Sequence, residues 1–287
     1  MESIPQRPQK VCGGRNKMHF TISNAAFAHR VNAVFYCGNI TNLQVNGCAR
    51  YLVAWLLLRS CGHRIPLSYV AYVLATVYHE TAFAMQPVEE YGKGVGYQYG
   101  IPDSETGKAY YGRGDVQVTW KANYQKLSEM VINPVTLKRG VDLVKKPEWL
   151  LRPMYSAQAT ILGMGTGLFT GKRLADYLDQ EQPDYISARR IINGTDRAET
   201  IAGYAHDFER ALKLALGAPI NRSTLKVGSR GVDVIELQLN LSLKPDGIFG
   251  NVTQSKIIEF QKQHSLSPDG VVGKNTWDKI ESTYYWS

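Results

Sequence analysis

The clearest pattern in the chain is a run of apolar positions with helical spacing that leads to a glutamate. Four side chains occupy positions i, i+3, i+4 and i+7: Val70, Val73, Leu74 and Val77. This spacing predicts a helix with one face packed against a core. At about 100° per residue, Glu80 falls at the edge of that face, where core meets surface. Pro87 is predicted to end the helix, and Glu89 and Glu90 follow it.

Apolar spacing predicts further helices on both sides of this stretch. One begins after Ser23 or Asn24, either of which is a suitable N-cap, and runs through Phe27 and Val31 to about Tyr36. Another begins near Asn42 and is expected to bury three apolar side chains: Leu52, Trp55 and Leu56. Later helices are predicted over four ranges: 124–131, 147–162, 187–192 and 200–216.

The stretch between the predicted acidic site and the later helices has a different composition. Residues 91–114 are rich in glycine and tyrosine, which predicts a loop or short hairpins that can bring aromatic side chains close to a ligand. Val116 and Val118 then alternate with Gln117 and Thr119. This alternation predicts a short strand with the two polar side chains on one face.

The C-terminal part of the chain repeats itself. Residues 245–250, PDGIFG, are followed 23 residues later by residues 268–273, PDGVVG, and each copy leads into a predicted helix. With a further helix at 232–239, the two copies predict a compact three-helix unit. The predicted domains are a flexible basic tail at 1–17, a large domain at 18–216, a linker at 217–224 and the small unit at 225–287.

The chain is basic, with a formal net charge of +8 and a pI of about 9.2, which favours anionic partners. Nucleic acid, anionic lipid and the bacterial cell wall all meet this description, so charge alone does not choose among them. The N-terminal residues contain no apolar signal-peptide segment, and synthesis in the cytosol is therefore expected. The four cysteines are accordingly expected to be mostly reduced core residues: Cys12, Cys37, Cys48 and Cys61.

The acidic residues admit two kinds of chemistry. His79 and Glu80 begin a zinc-binding motif, but the second histidine that this motif needs is replaced by Phe83. The zinc interpretation therefore fails. What remains is a pair of carboxylates, one from Glu80 and the other from Glu89 or Glu90, of the kind with which a glycosidase cleaves its substrate.

Three sequence blocks within residues 20–215 follow one another in the order HETAFAMQPVEEYG, YYGRGDVQVTWKANY and RIINGTDR. Together they resemble the family 19 glycoside hydrolases, the plant-type chitinases and their relatives among phage endolysins. Residues 223–281 contain LKVGSRGVDVIELQ, PDGIFGNVT and PDGVVGKNT, through which they resemble the type 1 peptidoglycan-binding domain. The resemblance implies a mainly α fold, with a lysozyme-like helical catalytic domain that has short hairpin or loop segments, and a small three-helix-bundle binding domain.

The resemblance also implies roles for particular residues. Glu80 matches the general acid, and Glu90 matches the general base, with Glu89 as the alternative. Thr119 and Asn123 match the residues that hold the nucleophilic water. Four further residues are expected to contact the sugars: Gln117, Tyr111, Trp120 and Asn193. Neither a metal nor a cofactor is expected.

The implied activity is that of a muramidase-type phage endolysin, which hydrolyses the β-1,4 bond between N-acetylmuramic acid and N-acetylglucosamine with inversion. The alternatives are a chitinase and a non-catalytic wall-binding protein. The expected partners are bacterial peptidoglycan and a holin-type membrane protein that lets the lysin leave the host cytoplasm for the wall. No nucleic-acid partner is expected, and the chain is expected to be a monomer. Asp115 departs from the apolar or proline residue that relatives usually have there.

Overall fold

The computed structural model describes residues 22–285, so the predicted tail at 1–17 lies outside the described residues. The described chain forms two compact units. The first unit comprises Asn46–His206. The second unit comprises residues 22–45 together with residues 207–285.

Both units are built largely from helices, which confirms the predicted mainly α fold class. The α-helices of the described residues are α1 (Asn24–Phe35), α2 (Asn42–Ser60), α3 (Leu67–Glu80), α4 (Lys121–Met130), α5 (Pro153–Thr166), α6 (Ala175–Leu178), α7 (Ala198–Ala215), α8 (Val232–Asn240), α9 (Asn251–Gln263) and α10 (Lys274–Tyr284). Short 3-10 helices lie at Gln98–Gly100, Pro147–Leu151 and Ser187–Ile191. Strand β1 (Val88–Glu89) pairs with β2 (Arg113–Gly114). Each helix within residues 22–285 is too short or too polar to cross a membrane.

Helix α1 begins where its sequence predicts, because Ser23 caps it. The Ser23 hydroxyl oxygen accepts a hydrogen bond from the N–H of Ala26 at 3.1 Å, which satisfies one of the free donors at the helix start. Phe27 and Val31, whose spacing predicted the helix, are both buried.

Helix α2 begins at the predicted Asn42 and buries two of the three side chains expected in the core. Leu52 and Trp55 are each 2% exposed, whereas Leu56 is 37% exposed, so its predicted burial is wrong. At about 100° per residue, Leu56 lies roughly 140° around the helix from the fully buried Tyr51, which marks the centre of the buried face.

Helix α3 is buried along most of its length, on all sides and not only along the predicted stripe. It ends at Glu80, and the prediction that it continues to Pro87 is wrong. The Thr81 hydroxyl donates to the carbonyl of Val77 at 2.7 Å and accepts from the N–H of Met85 at 3.0 Å. These two bonds close a tight turn directly after the helix and leave Glu80 half-buried at its end.

A buried carboxylate, that of Asp115, holds several elements of the first unit together. Its Oδ1 accepts from Arg50 at 2.6 Å, and its Oδ2 accepts from the hydroxyls of Tyr51 at 2.6 Å and Ser156 at 2.7 Å. Arg50 also donates to three carbonyls, those of Gly47, Met85 and Pro153. Because a buried charge is stable only when it is paired and hydrogen-bonded, these contacts fix α2, α5 and the turn after α3 against the chain that follows β2.

The chain after β2 reverses direction where the sequence predicts a strand. Strands β1 and β2 are antiparallel, with Glu89 opposite Arg113, and Val118 then forms a bridge back to Arg113. Residues 115–117 form the turn between them, so the prediction of a strand from the alternating valines is wrong. The turn forms because Asp115 is drawn into the core while Gln117 adopts a left-handed φ of 53°.

The sequence repeat of the second unit is also a structural repeat. Gln238 donates to Asp246 at 2.8 Å, and its Oε1 accepts at 2.9 Å from the N–H of the glycine that follows. Gln261, 23 residues later, makes the same two bonds to Asp269 and its following glycine, each at 3.0 Å. Each glutamine thereby holds a Pro-Asp-Gly turn against the preceding helix. The core contains Leu225, Val234, Leu237, Phe249, Ile257, Phe260, Val272, Trp277 and Ile280.

A second buried carboxylate, that of Glu236 on α8, organises the polar interior of this unit. It accepts from Arg30 of α1 at 2.7 Å, from Arg222 at 2.8 Å and from the Tyr285 hydroxyl at 2.7 Å. Helix α1 and the C-terminal helices therefore belong to one unit. Arg222 comes from the predicted linker at 217–224, which accordingly lies within the second unit. The domain boundaries given by the sequence stay a prediction.

The cysteines differ from one another. Cys48 is a free, buried thiol, as expected, and burial raises its pKa to about 12. Cys37 is free but exposed, so its expected place in the core is wrong. Cys61 is disulfide-bonded, which corrects the expectation that it is reduced. Cys12 lies outside the described residues.

Replacing Asp115 by alanine should destabilise the protein by about 3–5 kcal/mol, because Arg50 would stay buried without its charged partner. The free energy of unfolding from a urea titration measures this loss. Glu105→Ala is the matched control, since it removes an exposed carboxylate that pairs with Lys121, and it should leave the unfolding midpoint nearly unchanged. Equal losses in the two variants would contradict the role assigned to Asp115.

Acid should destabilise the second unit through Glu236. Burial opposes its ionisation, but hydrogen bonds and charge from Arg222, together with Arg30, outweigh burial and lower the pKa of Glu236 to about 2. The folded state therefore favours the carboxylate, and this stability is complete above the ordinary value of 4.5 and is lost as pH falls towards 2.

Urea unfolding measured at a series of pH values tests this. Glu236→Gln should be less stable than the native chain at neutral pH and should lose less stability between about pH 5 and pH 2. Glu259→Gln, which changes an exposed glutamate, should retain the native acid dependence. Parallel curves for the native chain and Glu236→Gln would rule this explanation out.

Candidate active site

Glu80 is held at the end of α3 by an arginine from a distant part of the chain. Arg189 donates to Glu80 Oε1 at 2.6 Å, and the Glu80 side chain is 27% exposed. Arg189 itself is 2% exposed and also donates to the carbonyl of Asp196 at 2.9 Å. A buried guanidinium with two fixed partners is rigid, so it fixes the position of the carboxylate at the protein surface.

Sequence reasoning missed Arg189. It stands directly before the block RIINGTDR, from which only Asn193 was selected. Asn193 is exposed just beyond the 3-10 helix Ser187–Ile191, and its N–H donates to the carbonyl of Arg189 at 3.0 Å. The backbone of Asn193 thus bonds to the backbone of the arginine whose side chain holds Glu80.

Glu89 lies on β1 and has three neighbours that favour its ionised form. The Tyr111 hydroxyl donates to Glu89 Oε1 at 2.6 Å, Lys93 lies 3.5 Å from Oε2, and Arg113 lies 3.6 Å from Oε1. The hydrogen bond from Tyr111 is the main reason that the pKa of Glu89 is lowered, and the two cations add to it. Glu89 is therefore a weaker base than an ordinary glutamate.

Glu90 has fewer polar contacts than Glu89. Its Oε2 accepts from the N–H of Gly112 at 2.8 Å, and the Tyr99 hydroxyl donates to Oε1 at 3.3 Å. A side chain at position 112 would place its Cβ 2.5 Å from Gln117 Oε1 and 3.2 Å from Glu90 Oε2. Any other residue at position 112 would therefore require the Gln117 side chain to move.

Hydrogen bonds to the backbone fix the amides that were predicted to hold the water and to contact the sugars. Asn123 Nδ2 donates to the carbonyl of Thr119 at 2.9 Å, so the amide is fixed at the start of α4. Gln117 Nε2 donates to the carbonyls of Val88 at 3.0 Å and Gly114 at 3.1 Å, which ties the two strands together. The donors of Gln117 thus support the hairpin, and its Oε1 lies against Gly112.

Aromatic rings continue the site away from Glu90. Trp120 is 49% exposed and makes an edge-to-face contact with Tyr99, with 5.4 Å between ring centroids. Tyr99 stacks in turn on Tyr97 at 5.1 Å. Trp120 was predicted from the sequence, whereas Tyr97 and Tyr99 were not, because their place in this row depends on how residues 91–114 fold. Tyr111 is half-buried under the guanidinium of Arg113, 3.6 Å from its ring centroid.

The contacts arrange the predicted residues in two groups. The first group surrounds the β1–β2 hairpin and contains Glu89, Glu90, Gln117 and Tyr111. Trp120 is joined to this group through Tyr99, which contacts the Trp120 ring and donates to Glu90. Glu80 and Asn193 form the other group around Arg189. Within residues 22–285, no three His, Cys, Asp or Glu side chains are grouped as a metal site requires.

A family model described as "Putative peptidoglycan binding domain" matches residues 230–280. This segment of the second unit is therefore similar to that family. The match confirms the resemblance predicted from the three sequence blocks within residues 223–281. It covers the helices α8 and α9 together with most of α10.

Solved structures similar to the chain are chitinases. Chitinase C from Streptomyces griseus HUT6037 is 19% identical with a TM-score of 0.41, and a mutant of chitinase C is 20% identical with a TM-score of 0.42. Both comparisons cover 71% of this chain and 80% of the other. A bacterial family 19 chitinase is 21% identical with a TM-score of 0.38, over 71% of this chain and 98% of the other. No curated protein matches the sequence.

Replacing Tyr111 by phenylalanine should raise the pKa of Glu89 towards its ordinary value, because the largest contribution that lowers it is removed. A carbon-13 NMR titration of the glutamate side-chain carboxyls measures this shift. Tyr99→Phe is the control, since Tyr99 donates to Glu90, and it should leave the titration of Glu89 unchanged. An unchanged Glu89 titration in Tyr111→Phe would mean that Lys93 and Arg113 control this carboxylate instead.

Proposed function

We propose that this protein is a peptidoglycan glycosidase of the muramidase type, which hydrolyses the β-1,4 bond between N-acetylmuramic acid and N-acetylglucosamine. One observation carries the proposal: a single chain joins a domain of the peptidoglycan-binding family to a unit that presents fixed, solvent-accessible carboxylates. The first feature supports the polymer as the substrate, and the second supports acid–base hydrolysis of its glycan.

In the proposed mechanism, Glu80 acts as the general acid and gives a proton to the oxygen of the leaving sugar. A second carboxylate activates the attacking water on the opposite face of the ring, so the product is inverted at its anomeric carbon. Glu90 is favoured over Glu89 for this step, because the lowered pKa of Glu89 makes it a poor proton acceptor. Arg189 positions the acid and does not itself exchange a proton.

Thr119 and Asn123 are proposed to orient the attacking water. The hydrogen bond from the Asn123 amide to the Thr119 carbonyl holds the two residues together at the start of α4. Trp120 and Tyr111 are proposed to pack against sugar rings. Gln117 in the hairpin group and Asn193 in the Arg189 group are proposed to form hydrogen bonds with the sugars. The half-exposed ring of Trp120 supports its role, since sugars pack readily against aromatic faces.

The biological role proposed is that of a phage endolysin that lyses the host as a monomer. It would be made in the host cytoplasm and would reach the wall after a holin-type partner had opened the membrane. The sequence blocks and the net charge of +8 support this role, since bacterial walls carry anionic polymers. The same carboxylate chemistry would also suit a chitinase, which acts on a polymer of N-acetylglucosamine.

Replacing Glu80 by glutamine should lower kcat by at least about 100-fold, because the amide has no proton to give to the leaving oxygen. Glu90→Gln should cause a loss of similar size, and Glu89→Gln a smaller one. The measurement is the rate at which soluble fragments are released from purified peptidoglycan. Glu148→Gln, the same change at an exposed glutamate of the same unit, is the control and should leave the rate unchanged.

Oligomers of N-acetylglucosamine assayed in parallel distinguish the alternatives. Faster cleavage of these oligomers than of peptidoglycan would favour a chitinase. If the native protein binds peptidoglycan yet releases no saccharide from either polymer, it is a non-catalytic wall-binding protein.

A further inference from the structure

The repeat in the second unit creates two related pockets, one beside each copy. The first has a volume of about 390 Å³ and is lined in part by Leu243, Asn251 and Val252. The second has a volume of about 260 Å³, and three of the residues that line it stand 23 positions later: Leu266, Lys274 and Asn275. The two pockets therefore share three equivalent positions of the repeat, although the rest of their linings differ.

The two pockets differ in chemistry at two of these three equivalent positions. Where the first pocket has the exposed side chain of Val252, the second has the amide of Asn275, and where the first has Asn251, the second has the ammonium of Lys274. Each pocket has one cation in its lining, and each cation is paired: Lys256 with Glu259 at 2.9 Å and Lys274 with Asp278 at 2.6 Å. At these two positions the second pocket offers a ligand an ammonium and an amide, where the first offers an amide and an apolar side chain.

The wall of the second pocket is rigid. Gln261, which lines it, is 1% exposed and donates to Asp269 at 3.0 Å and to the carbonyl of Val271 at 2.9 Å. Thr276 also lines the pocket and lies 3.3 Å from the Gln261 amide. A wall held by buried hydrogen bonds loses little conformational freedom when a ligand binds.

We infer that this second pocket binds the stem peptide of peptidoglycan, and that the first pocket does not. A stem peptide has amides that both donate and accept hydrogen bonds, and it ends in a carboxylate. Asn275 and the Ser267 hydroxyl match the amides, and Lys274 matches the carboxylate, with only one of its donors used by Asp278 at 2.6 Å. The small volume suits a short peptide segment. This inference rests on the proposed function, because it takes peptidoglycan as the polymer that the protein recognises.

The repeat provides matched variants for the test. In the full-length chain, Asn275→Val gives the second pocket the side chain that the first has, and Val252→Asn makes the opposite change. Lys274→Ala and Lys256→Ala form a second pair. All four side chains are partly or fully exposed, so the variants should fold as the native chain does, which thermal unfolding checks.

The measurement is sedimentation of each protein with purified insoluble peptidoglycan. Asn275→Val and Lys274→Ala should weaken binding by about tenfold or more, the effect of losing one good polar contact. Val252→Asn and Lys256→Ala should bind like the native chain. An amidase removes the stem peptides from peptidoglycan. The native chain should bind this stripped peptidoglycan as weakly as Asn275→Val binds intact peptidoglycan.

Two results would overturn the inference while leaving the proposed function in place. Native affinity in both second-pocket variants would show that the pocket is not the binding site. Equal binding of intact and stripped peptidoglycan by the native chain would show that the glycan is the ligand. If the native chain bound neither material, the proposed function would fail together with the inference.

Discussion

The first unit depends on the burial of one charge, that of Asp115. Its carboxylate has satisfied partners on two helices, and its principal partner, Arg50, reaches the turn that follows α3. Removing any partner would leave a polar group buried without a hydrogen bond, so the arrangement resists small displacements. The hairpin that carries Glu89 and Glu90 begins just beyond this turn and ends at Asp115. The candidate catalytic carboxylates are therefore positioned from the core, although they lie at the surface.

At two other places in the molecule, as at Asp115, buried arginines hold a carboxylate in place. Arg189 is almost completely buried and fixes Glu80, while Arg30 and Arg222 surround Glu236 in the second unit. In each case the guanidinium bonds to a carboxylate from another segment of the chain. These ion pairs specify which segments of the chain come into contact. Apolar packing alone would select those segments less strictly, because apolar contacts have no direction. In the second unit they add α1 to a helical repeat that the repeated glutamines already organise.

The sequence predicts the helices well where apolar spacing and capping agree. Helix α1 follows from Ser23 and from the spacing of Phe27 and Val31, and the C-terminal helices follow from the repeated turns. The turn after α3 could not be predicted, because Ala82, Phe83 and Met85 all adopt left-handed conformations that non-glycine residues rarely take. The turn at Gln117 was missed for the same reason.

The candidate site was predictable in its residue types but not in its connections. Glu80, Glu89 and Glu90 stand out by motif, yet Arg189 is 109 residues from its partner Glu80, and no local pattern links the two. The difference between Glu89 and Glu90 likewise arises from Tyr111, Lys93 and Arg113, which the hairpin brings to one carboxylate. Such assignments require the tertiary structure.

The most direct test of the account is the identity of the sugar at each new chain end. Purified peptidoglycan would be digested with the native protein, the fragments reduced with borohydride, and the reduced sugars identified by mass spectrometry. The account predicts reduced N-acetylmuramic acid at the new ends. Reduced N-acetylglucosamine at those ends, or no new reducing ends at all, would contradict it.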